Sequence, residues 1–205
     1  FDWGALSETV GTLSGSGTLS IRGSSFTTSS ASDSTFSGTI TDSYGSFHKA
    51  GTGDLTLTGA SSFTGLTYVD QGTLVLANSS ALGGSTSGNV IANGATLALQ
   101  GGISVTEGSF SVQGTGDGGV GAIYNISGNN ALNATLNLAG TTTIGSAAGT
   151  LTLGGISLTS DLTLTGAGNF ATSGALTSTG TLTKNGSGTL TLSGTVANSY
   201  GASLI

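Results

Sequence analysis

The segment GTGDLTLTGASSFTGLTYVDQGTLVL, residues 51–76, alternates apolar with polar side chains and contains two carboxylates but no basic residue. Leucine alternates with threonine at 55–58, and the pattern Gly-x-Leu-x-Leu occurs at 53–57 and again at 72–76. Alternation with a period of two places successive side chains on opposite sides of a β-strand. The segment therefore predicts short strands with one buried and one hydrated side, separated by glycine-rich turns.

Segments of the same kind recur through the rest of the chain, and short runs are regularly interrupted by glycine. No window keeps apolar residues at i, i+3, i+4 and i+7, so no helix of ordinary length is predicted. The 205 residues include no proline, which suits a backbone that is hydrogen-bonded nearly everywhere, because proline cannot donate to a ladder. We expect an all-β fold without substantial helix.

The spacing of the leucines indicates how the strands are arranged. Leu55, Leu74 and Leu97 follow one another at roughly 20 residues, whereas the later intervals 136–151 and 151–162 are shorter. Two or three short strands per coil, at roughly 20 residues per coil, are typical of a parallel β-helix. The spacing predicts a single β-solenoid domain over 1–205 with about ten coils and a length of roughly 50 Å.

An immunoglobulin-like sandwich is the competing all-β interpretation, because it also has short strands at regular short spacing. The Asn-Gly pairs at 93–94 and 185–186 could be its hairpin turns. In a solenoid they would form corners, since both residues tolerate left-handed backbone angles. The solenoid is favoured because a sandwich would normally carry some proline and more charge.

The alternation also predicts which side chains form the core. We expect Thr56, Thr152 and Thr191 to point outward. We expect the leucines of six Leu-x-Leu pairs to point inward: Leu55, Leu57, Leu74, Leu76, Leu97, Leu99, Leu136, Leu138, Leu151, Leu153, Leu190 and Leu192.

The composition limits the classes of partner. Three basic and nine acidic residues give a net charge of −6. Nucleic acids and anionic membrane surfaces both require clustered Lys and Arg, so neither is an expected partner. There is no cysteine and no apolar run of membrane-spanning length, so we expect no disulfide and no membrane insertion by this segment. The first residue is Phe1, which suggests part of a longer or processed chain.

The segment FHKAGTGDLTLTGASSFTGLTYVDQGTLVL, residues 47–76, resembles the passenger-associated repeat of bacterial autotransporters. The resemblance consists of a lysine, a Gly-x-Gly, alternating Leu and Thr, an aromatic residue followed by glycine, and a closing GTLVL. A second copy begins at LTKNGSGTLTLSGTVANSYGASLI, residues 182–205, without the closing GTLVL. Position 54 is Asp where the family usually has Thr.

This resemblance implies a right-handed β-helix that is extracellular or on the bacterial cell surface, with an adhesive or structural role. We therefore expect a non-catalytic structural protein: a stalk, an adhesin segment or a fibre subunit that assembles end to end.

The alternative of a carbohydrate-active β-helix enzyme depends on a group of carboxylates. The nearest candidate is Asp42, His48, Lys49 and Asp54, and Asp54 could also approach Asp70 if their strands stack. At this low density of charge, we interpret them as scattered solvating residues and predict no catalytic residue. His48 is the only histidine, and no triad pattern surrounds it.

The sequence also offers few candidate ligand sites. GTGDL at 51–55 and GTGDGG at 114–119 are similar to calcium-binding nonapeptides, but the parity of Asp54 is wrong and the copies are not tandem. We therefore predict no metal and no cofactor. A glycan-binding module using Tyr44, Tyr68 or Tyr124, with host or surface glycans as partners, is the remaining alternative.

Both termini are apolar and lack a charged cap. An uncapped solenoid end is a template for strand addition. We expect self-association through the two ends, with Phe1 and Trp3 at one end and Leu204 and Ile205 at the other. The alternative is a fragment of a longer chain whose caps lie outside residues 1–205.

Overall fold

The computed structural model describes residues 7–84, 88–193, 198 and 202–204. These residues form a parallel β-solenoid of about nine turns, with 51% of the chain in strands. Each strand pairs in parallel with strands of neighbouring coils. The predicted all-β solenoid is therefore confirmed, whereas the immunoglobulin-like sandwich, which needs antiparallel hairpins, is not formed.

Each coil contributes up to three short strands, numbered in chain order. The first three coils contain β1 (Glu8–Val10), β2 (Thr18–Ser20), β3 (Ser25–Ser29), β4 (Ser34–Phe36), β5 (Thr39–Thr41), β6 (Ser46–Ala50) and β7 (Leu55–Leu57). The next three contain β8 (Thr67–Val69), β9 (Thr73–Leu76), β10 (Gly88–Ile91), β11 (Thr96–Gln100), β12 (Ser104–Val105), β13 (Ser109–Gly114), β14 (Ile123–Ser127) and β15 (Asn130–Leu132). The remainder contains β16 (Thr135–Ser146), β17 (Thr150–Leu153), β18 (Ile156–Leu158), β19 (Leu162–Thr165), β20 (Asn169–Thr172), β21 (Leu176–Ser178), β22 (Thr181–Lys184), β23 (Leu190–Leu192) and β24 (Ala202–Leu204).

The strands stack into three faces, so the coil is triangular in cross-section. Face A runs through β1, β3, β6, β8, β10, β13, the first half of β16, β18 and β21. Face B runs through β4, β7, β9, β11, β14, the second half of β16, β19, β22 and β24. Face C runs through β2 and β5, continues over the irregular segments 61–64 and 80–84, and ends with β12, β15, β17, β20 and β23.

The register explains the leucine spacing. Leu55, Leu74 and Leu97 stack directly on one another on face B, as intervals of one coil require. The shorter intervals 136–151 and 151–162 are instead steps from one face to the next, because Leu136 lies on face A, Leu151 on face C and Leu162 on face B. A coil of three faces therefore gives both the long and the short periods.

The core is a continuous column of leucine, isoleucine, valine and phenylalanine from Leu13 to Leu182. Ten of the twelve leucines predicted to point inward are buried, and Thr56, Thr152 and Thr191 lie on the outer side. The two exceptions are in β23, where Leu190 is only partly buried and Leu192 is 38% exposed. Among the described strands, β23 pairs on one side only, with β20, so no described strand covers its other edge.

Corners of the coil depend on glycine where the backbone of one coil touches the next. Gly51 has a φ of 80°, and a Cβ there would lie 2.4 Å from the carbonyl oxygen of Ser30. Gly186 has a φ of 81°, and a Cβ there would lie 2.4 Å from the carbonyl oxygen of Gly166. Any other residue would be strained and would push the coils apart. Both Asn-Gly pairs lie at corners between parallel strands, as the solenoid interpretation predicted.

Asp and Asn side chains complete the ladder where strands begin. The Asp33 carboxylate accepts the N–H of Asp54 at 2.9 Å, and the Asp161 carboxylate accepts the N–H of Thr181 at 2.8 Å. The buried Asn89 amide oxygen accepts the N–H of Thr67 at 2.8 Å. Two of the nine acidic residues and one buried asparagine therefore replace a backbone carbonyl of the neighbouring coil.

One coil departs from this regular profile. Leu97 pairs with Ile123, a longer step than those from Leu55 to Leu74 and from Leu74 to Leu97, because the segment 115–121 projects between β13 and β14. Its centre is a tight turn, Asp117–Gly119, in which Gly118 and Gly119 have φ values of 56° and 77°. This projection stands beside face B.

Candidate functional site

His48 lies on the outer side of face A and forms a small cluster with the next coil. Its Nδ1 lies 2.9 Å from the carboxylate of Asp70, and its ring stacks on Tyr68 with 4.4 Å between centroids and 7° between planes. A carboxylate that orients an imidazole supplies the acid and the base of a catalytic triad, which also requires a nucleophile. In the described part of the chain, however, no hydroxyl group is hydrogen-bonded to the imidazole of His48.

The nearest candidate for a catalytic group, Asp42, His48, Lys49 and Asp54, does not assemble around one point. His48 and Lys49 are consecutive in β6, so the imidazole faces outward and the ammonium group inward. The carboxylate of Asp42 interacts with the hydroxyl group of Ser20 at 3.4 Å. Asp70, which the sequence suggested as a neighbour of Asp54, is paired with His48. Period-two alternation separates residues that proximity in sequence had grouped.

Lys49 instead closes the corner between faces A and B. Its side chain is only 2% exposed, and its Nζ donates to the carbonyl oxygens of Gly51 and Gln71, both at 2.8 Å, with a longer contact to that of Ala50 at 3.5 Å. Burial lowers the pKa of Lys49, and the nearby Asp54, Asp117 and Asp33 oppose that shift. An ammonium group whose protons are all directed at backbone carbonyls is a structural cap.

Lys184 does the same at a different corner. It is the last inward residue of β22, and its Nζ donates to the carbonyl oxygens of Asn185 at 2.7 Å and Gly186 at 3.2 Å. Its ammonium group also lies 5.8 Å from the ring centroid of Phe170. This corner joins faces B and C, one face further round the coil than the corner closed by Lys49.

An asparagine has the same role between those two lysines. Asn125 is fully buried on face B, and its Nδ2 donates to the carbonyl oxygens of Ala148 at 2.7 Å and Gly128 at 3.2 Å. The donor again reaches the carbonyls of a corner from the last inward positions of a strand. A buried donor beneath a corner is therefore a recurring device of this solenoid, and the lysine itself is not a sign of chemistry.

The three tyrosines considered for glycan binding lie apart. Tyr44 is 88% exposed at a corner and has a φ of 78°. Tyr68 is on face A beside His48, and Tyr124 is on face B. They form no common row.

A cleft on face B brings together two carboxylates that are far apart in sequence. Its volume is about 330 Å³, and the residues that line it include Asp54, Asp117, Thr73, Ala98, Val120, Tyr124 and Ile126. Each acidic residue comes from one of the two GTGD segments that resemble calcium-binding nonapeptides. Sequence reasoning singled out both segments but gave no sign that they meet, because their approach depends on the register of four coils.

Thr96 fixes the projecting segment that carries Asp117. The Thr96 side chain is buried; its hydroxyl group donates to the carbonyl oxygen of Gly121 at 2.8 Å and accepts the N–H of Asp117 at 2.8 Å. Gly121 also donates its own N–H to the carbonyl oxygen of Thr115 at 2.8 Å. The segment is therefore closed at its base and tied to the body of the solenoid at its centre.

Within residues 7–84, 88–193, 198 and 202–204, no three metal-ligating side chains of His, Cys, Asp or Glu come together. The same part of the chain contains no helix with the length and apolar character needed to span a bilayer.

The structure places few of the residues predicted to mediate end-to-end assembly. Phe1, Trp3 and Ile205 lie outside the described residues. Leu204 is the last residue of β24, which pairs in parallel with β22.

Two segments of this solenoid, residues 47–76 and 182–203, match the family model of the passenger-associated-transport-repeat. The resemblance drawn from the sequence is thereby confirmed, with the second match ending slightly before the range expected. The fold is thus a parallel β-solenoid that carries two segments similar to this repeat. No curated protein and no solved structure matches the chain significantly.

Proposed function

We propose that this chain is a non-catalytic structural segment of an exported bacterial passenger and acts as a stiff spacer outside the cell. The observation that carries the proposal is the use of both repeat lysines. Lys49 and Lys184 are the basic residues of the two repeats, and both ammonium groups donate to corner carbonyls. Charged residues whose hydrogen bonds stabilise the corners of the coil favour a stiff rod.

The regular ladder supports the mechanical role. Nine coils spaced ~4.8 Å apart give a rod of roughly 40–45 Å. Parallel ladders on three faces must all break before the rod bends sharply, and the core column adds side-chain packing along the same axis. Because the outer faces carry mainly Ser, Thr and Asn, this stiffness is achieved with little charge.

A surface-display experiment tests the spacer role. An exported passenger would carry one epitope tag on each side of residues 1–205, and the height difference between the tags would be measured by super-resolution or force microscopy. We expect a narrow distribution near 40–45 Å, given by ~4.8 Å per coil. A Gly/Ser linker of equal residue number is the matched control and should give a broad distribution. The same broad distribution for the native segment would contradict the spacer role.

A separate experiment tests whether the chain has enzymatic activity. The His48→Ala and Asp54→Ala variants and the unmodified chain would be incubated with pectin-like and other polysaccharides, and released ends would be counted. We expect no turnover from any of them. Turnover that either substitution abolishes would favour the carbohydrate-active enzyme instead.

A fibre built by end-to-end self-association is the second candidate, and exposed Leu192 on β23 favours it. An apolar residue on a strand whose edge no described strand covers is suited to strand addition. A Leu192→Lys variant should remain folded but lose concentration-dependent growth in light scattering, with Thr191→Lys, on the outer side, as the control. A native chain that stays monomeric at high concentration would rule out the fibre.

A further inference from the structure

The cleft on face B interrupts the regular surface of the solenoid. The coil that runs from Leu97 to Ile123 is longer than those from Leu55 to Leu74 and from Leu74 to Leu97. Its extra residues, between Gln113 and Ala122, form a wall that overhangs β9, β11 and β14. A rod that needed only stiffness would not require this projection.

The floor and walls of the cleft differ in chemistry. The apolar surface comes from Tyr124, Ile126 and Val120, with the fully buried Ala98 beneath it, and Val120 is 37% exposed although it is a large aliphatic residue. Two acidic residues, Asp54 and Asp117, line the same cleft. A ligand that fits must therefore combine an apolar stem with a group that is attracted to negative charge.

The nearby cation does not satisfy these carboxylates by direct contact. Lys49 is close enough to interact electrostatically with Asp54 and Asp117, but its Nζ is buried and donates to the carbonyls of Gly51 and Gln71. No ion pair joins either carboxylate to a basic side chain in the described part of the chain. The cleft therefore keeps its negative charge on the solvent side.

We propose that this cleft binds a basic side chain, Lys or Arg, presented by an extended peptide segment of a partner protein. The aliphatic stem would lie across Tyr124 and Ile126, and the cationic group would be placed between the carboxylates of Asp54 and Asp117. Arginine suits the site best, because a guanidinium can stack on an aromatic ring and donate to two carboxylates at once. The proposal adds a recognition site to the spacer and does not depend on the spacer function.

Two other ligand classes match the cleft less well. A calcium ion prefers many oxygen ligands, and the cleft supplies two carboxylates with an apolar floor. An acidic glycan would be repelled by the same carboxylates. A neutral glycan could stack on Tyr124, but it would gain nothing from the two charges.

The test uses the whole chain and two tripeptides that differ in charge alone. Acetyl-Gly-Arg-Gly-amide is titrated into the ¹⁵N-labelled protein, and acetyl-Gly-citrulline-Gly-amide, which has the same shape without charge, is the control. We expect the arginine peptide to shift the amide signals of Ala98, Val120 and Tyr124. The citrulline peptide should bind at least several-fold more weakly, and about 0.5 M salt should weaken binding of the arginine peptide.

Matched variants assign the charge. Asp54→Asn and Asp117→Asn should each weaken the arginine peptide about two- to fivefold, the range for exposed ion pairs. Asp161→Asn, on face B away from the cleft, should leave it unchanged, and its amide oxygen can still accept the N–H of Thr181. Each variant's amide spectrum shows whether it is folded.

Four results would overturn the proposal. The first is equal binding of the two tripeptides. The second is that Asp161→Asn weakens binding of the arginine peptide as much as Asp54→Asn or Asp117→Asn does. The third is that calcium chloride or a neutral xylo-oligosaccharide shifts the amide signals at the cleft and the arginine peptide does not. The fourth is no shift with any of these probes. None of them bears on the tag-to-tag height that tests the spacer.

Discussion

The two copies of the repeat contain the same corner on different faces of the solenoid. In residues 47–76 the lysine lies near the end of a strand of face A and the Leu-x-Leu pair follows on face B. In residues 182–203 the lysine ends a strand of face B and the pair follows on face C. The repeat therefore specifies a strand, a capped corner and a second strand, and not a fixed position on the coil.

The copies differ in how completely the following coil covers them. Lys49 reaches a carbonyl of the next coil, that of Gln71, whereas the hydrogen bonds of Lys184 are to the two residues that follow it. Leu57 is 2% exposed, and its counterpart Leu192 is 38% exposed. The two copies of the repeat therefore contribute differently to the stability of the fold, because neighbouring residues cover them to different extents.

The largest expected effect comes from the second leucine of each copy. Leu57→Ala should lower the free energy of unfolding by about 2–5 kcal/mol, because it leaves a cavity between stacked leucines. Leu192→Ala should cost about 1 kcal/mol or less, because much of the side chain is already in water. Urea denaturation of both variants measures the difference. Equal losses would mean that Leu192 is covered in solution.

The second largest effect is expected from the two lysines, whose variants should differ less in free energy of unfolding than the two leucine variants do. Lys49→Met should cost about 2–4 kcal/mol, because the carbonyls of Gly51 and Gln71 would lose their donor inside the protein. Lys184→Met should cost about 1–2 kcal/mol for the same reason with fewer partners. Methionine keeps a similar side-chain length, so the comparison isolates the ammonium group. Thermal and urea unfolding would contradict the capping role if both variants were as stable as the native chain.

Much of the fold could be predicted from the sequence because its signals are local. Alternation identified the inward side of Leu55, Leu57, Leu151 and Leu153, and the whole-coil spacing of Leu55, Leu74 and Leu97 identified parallel stacking. The number of faces was not evident, since an interval as short as 136–151 or 151–162 can be a short coil or a step between faces. Only the register distinguishes these alternatives.

The candidate sites were less accessible for a physical reason. Grouping His48 with Lys49 ignored the alternation that places consecutive residues on opposite sides of a strand, and the pattern Phe47-x-Lys49 could have revealed a buried lysine. That Asp54 and Asp117 line one cleft could not be predicted in the same way. It depends on three successive coil lengths and on a projecting segment whose position is set by one buried hydroxyl group, that of Thr96.

The smallest expected effect concerns the ionisation of Lys49. Burial lowers the pKa of Lys49 below its usual 10.5, against the opposing pull of Asp54, Asp117 and Asp33. Between the lowered value of the folded state and the usual value, the unfolded chain binds more protons at this position than the folded chain. Stability contributed by Lys49 therefore increases as the pH rises through that interval.

Urea unfolding at pH 8, 9 and 10 should show this as a widening gap between the native chain and Lys49→Met, which cannot titrate at that position. The gap should grow by less than about 1.4 kcal/mol per pH unit, the limit for one proton. Asp54→Asn should widen the gap further, because it removes the carboxylate that opposes burial most strongly. A gap that narrows with rising pH would mean that the three carboxylates outweigh burial. Lys49 would then be held by charge as well as by the corner carbonyls, and the first repeat would differ from the second in electrostatics as well as in packing.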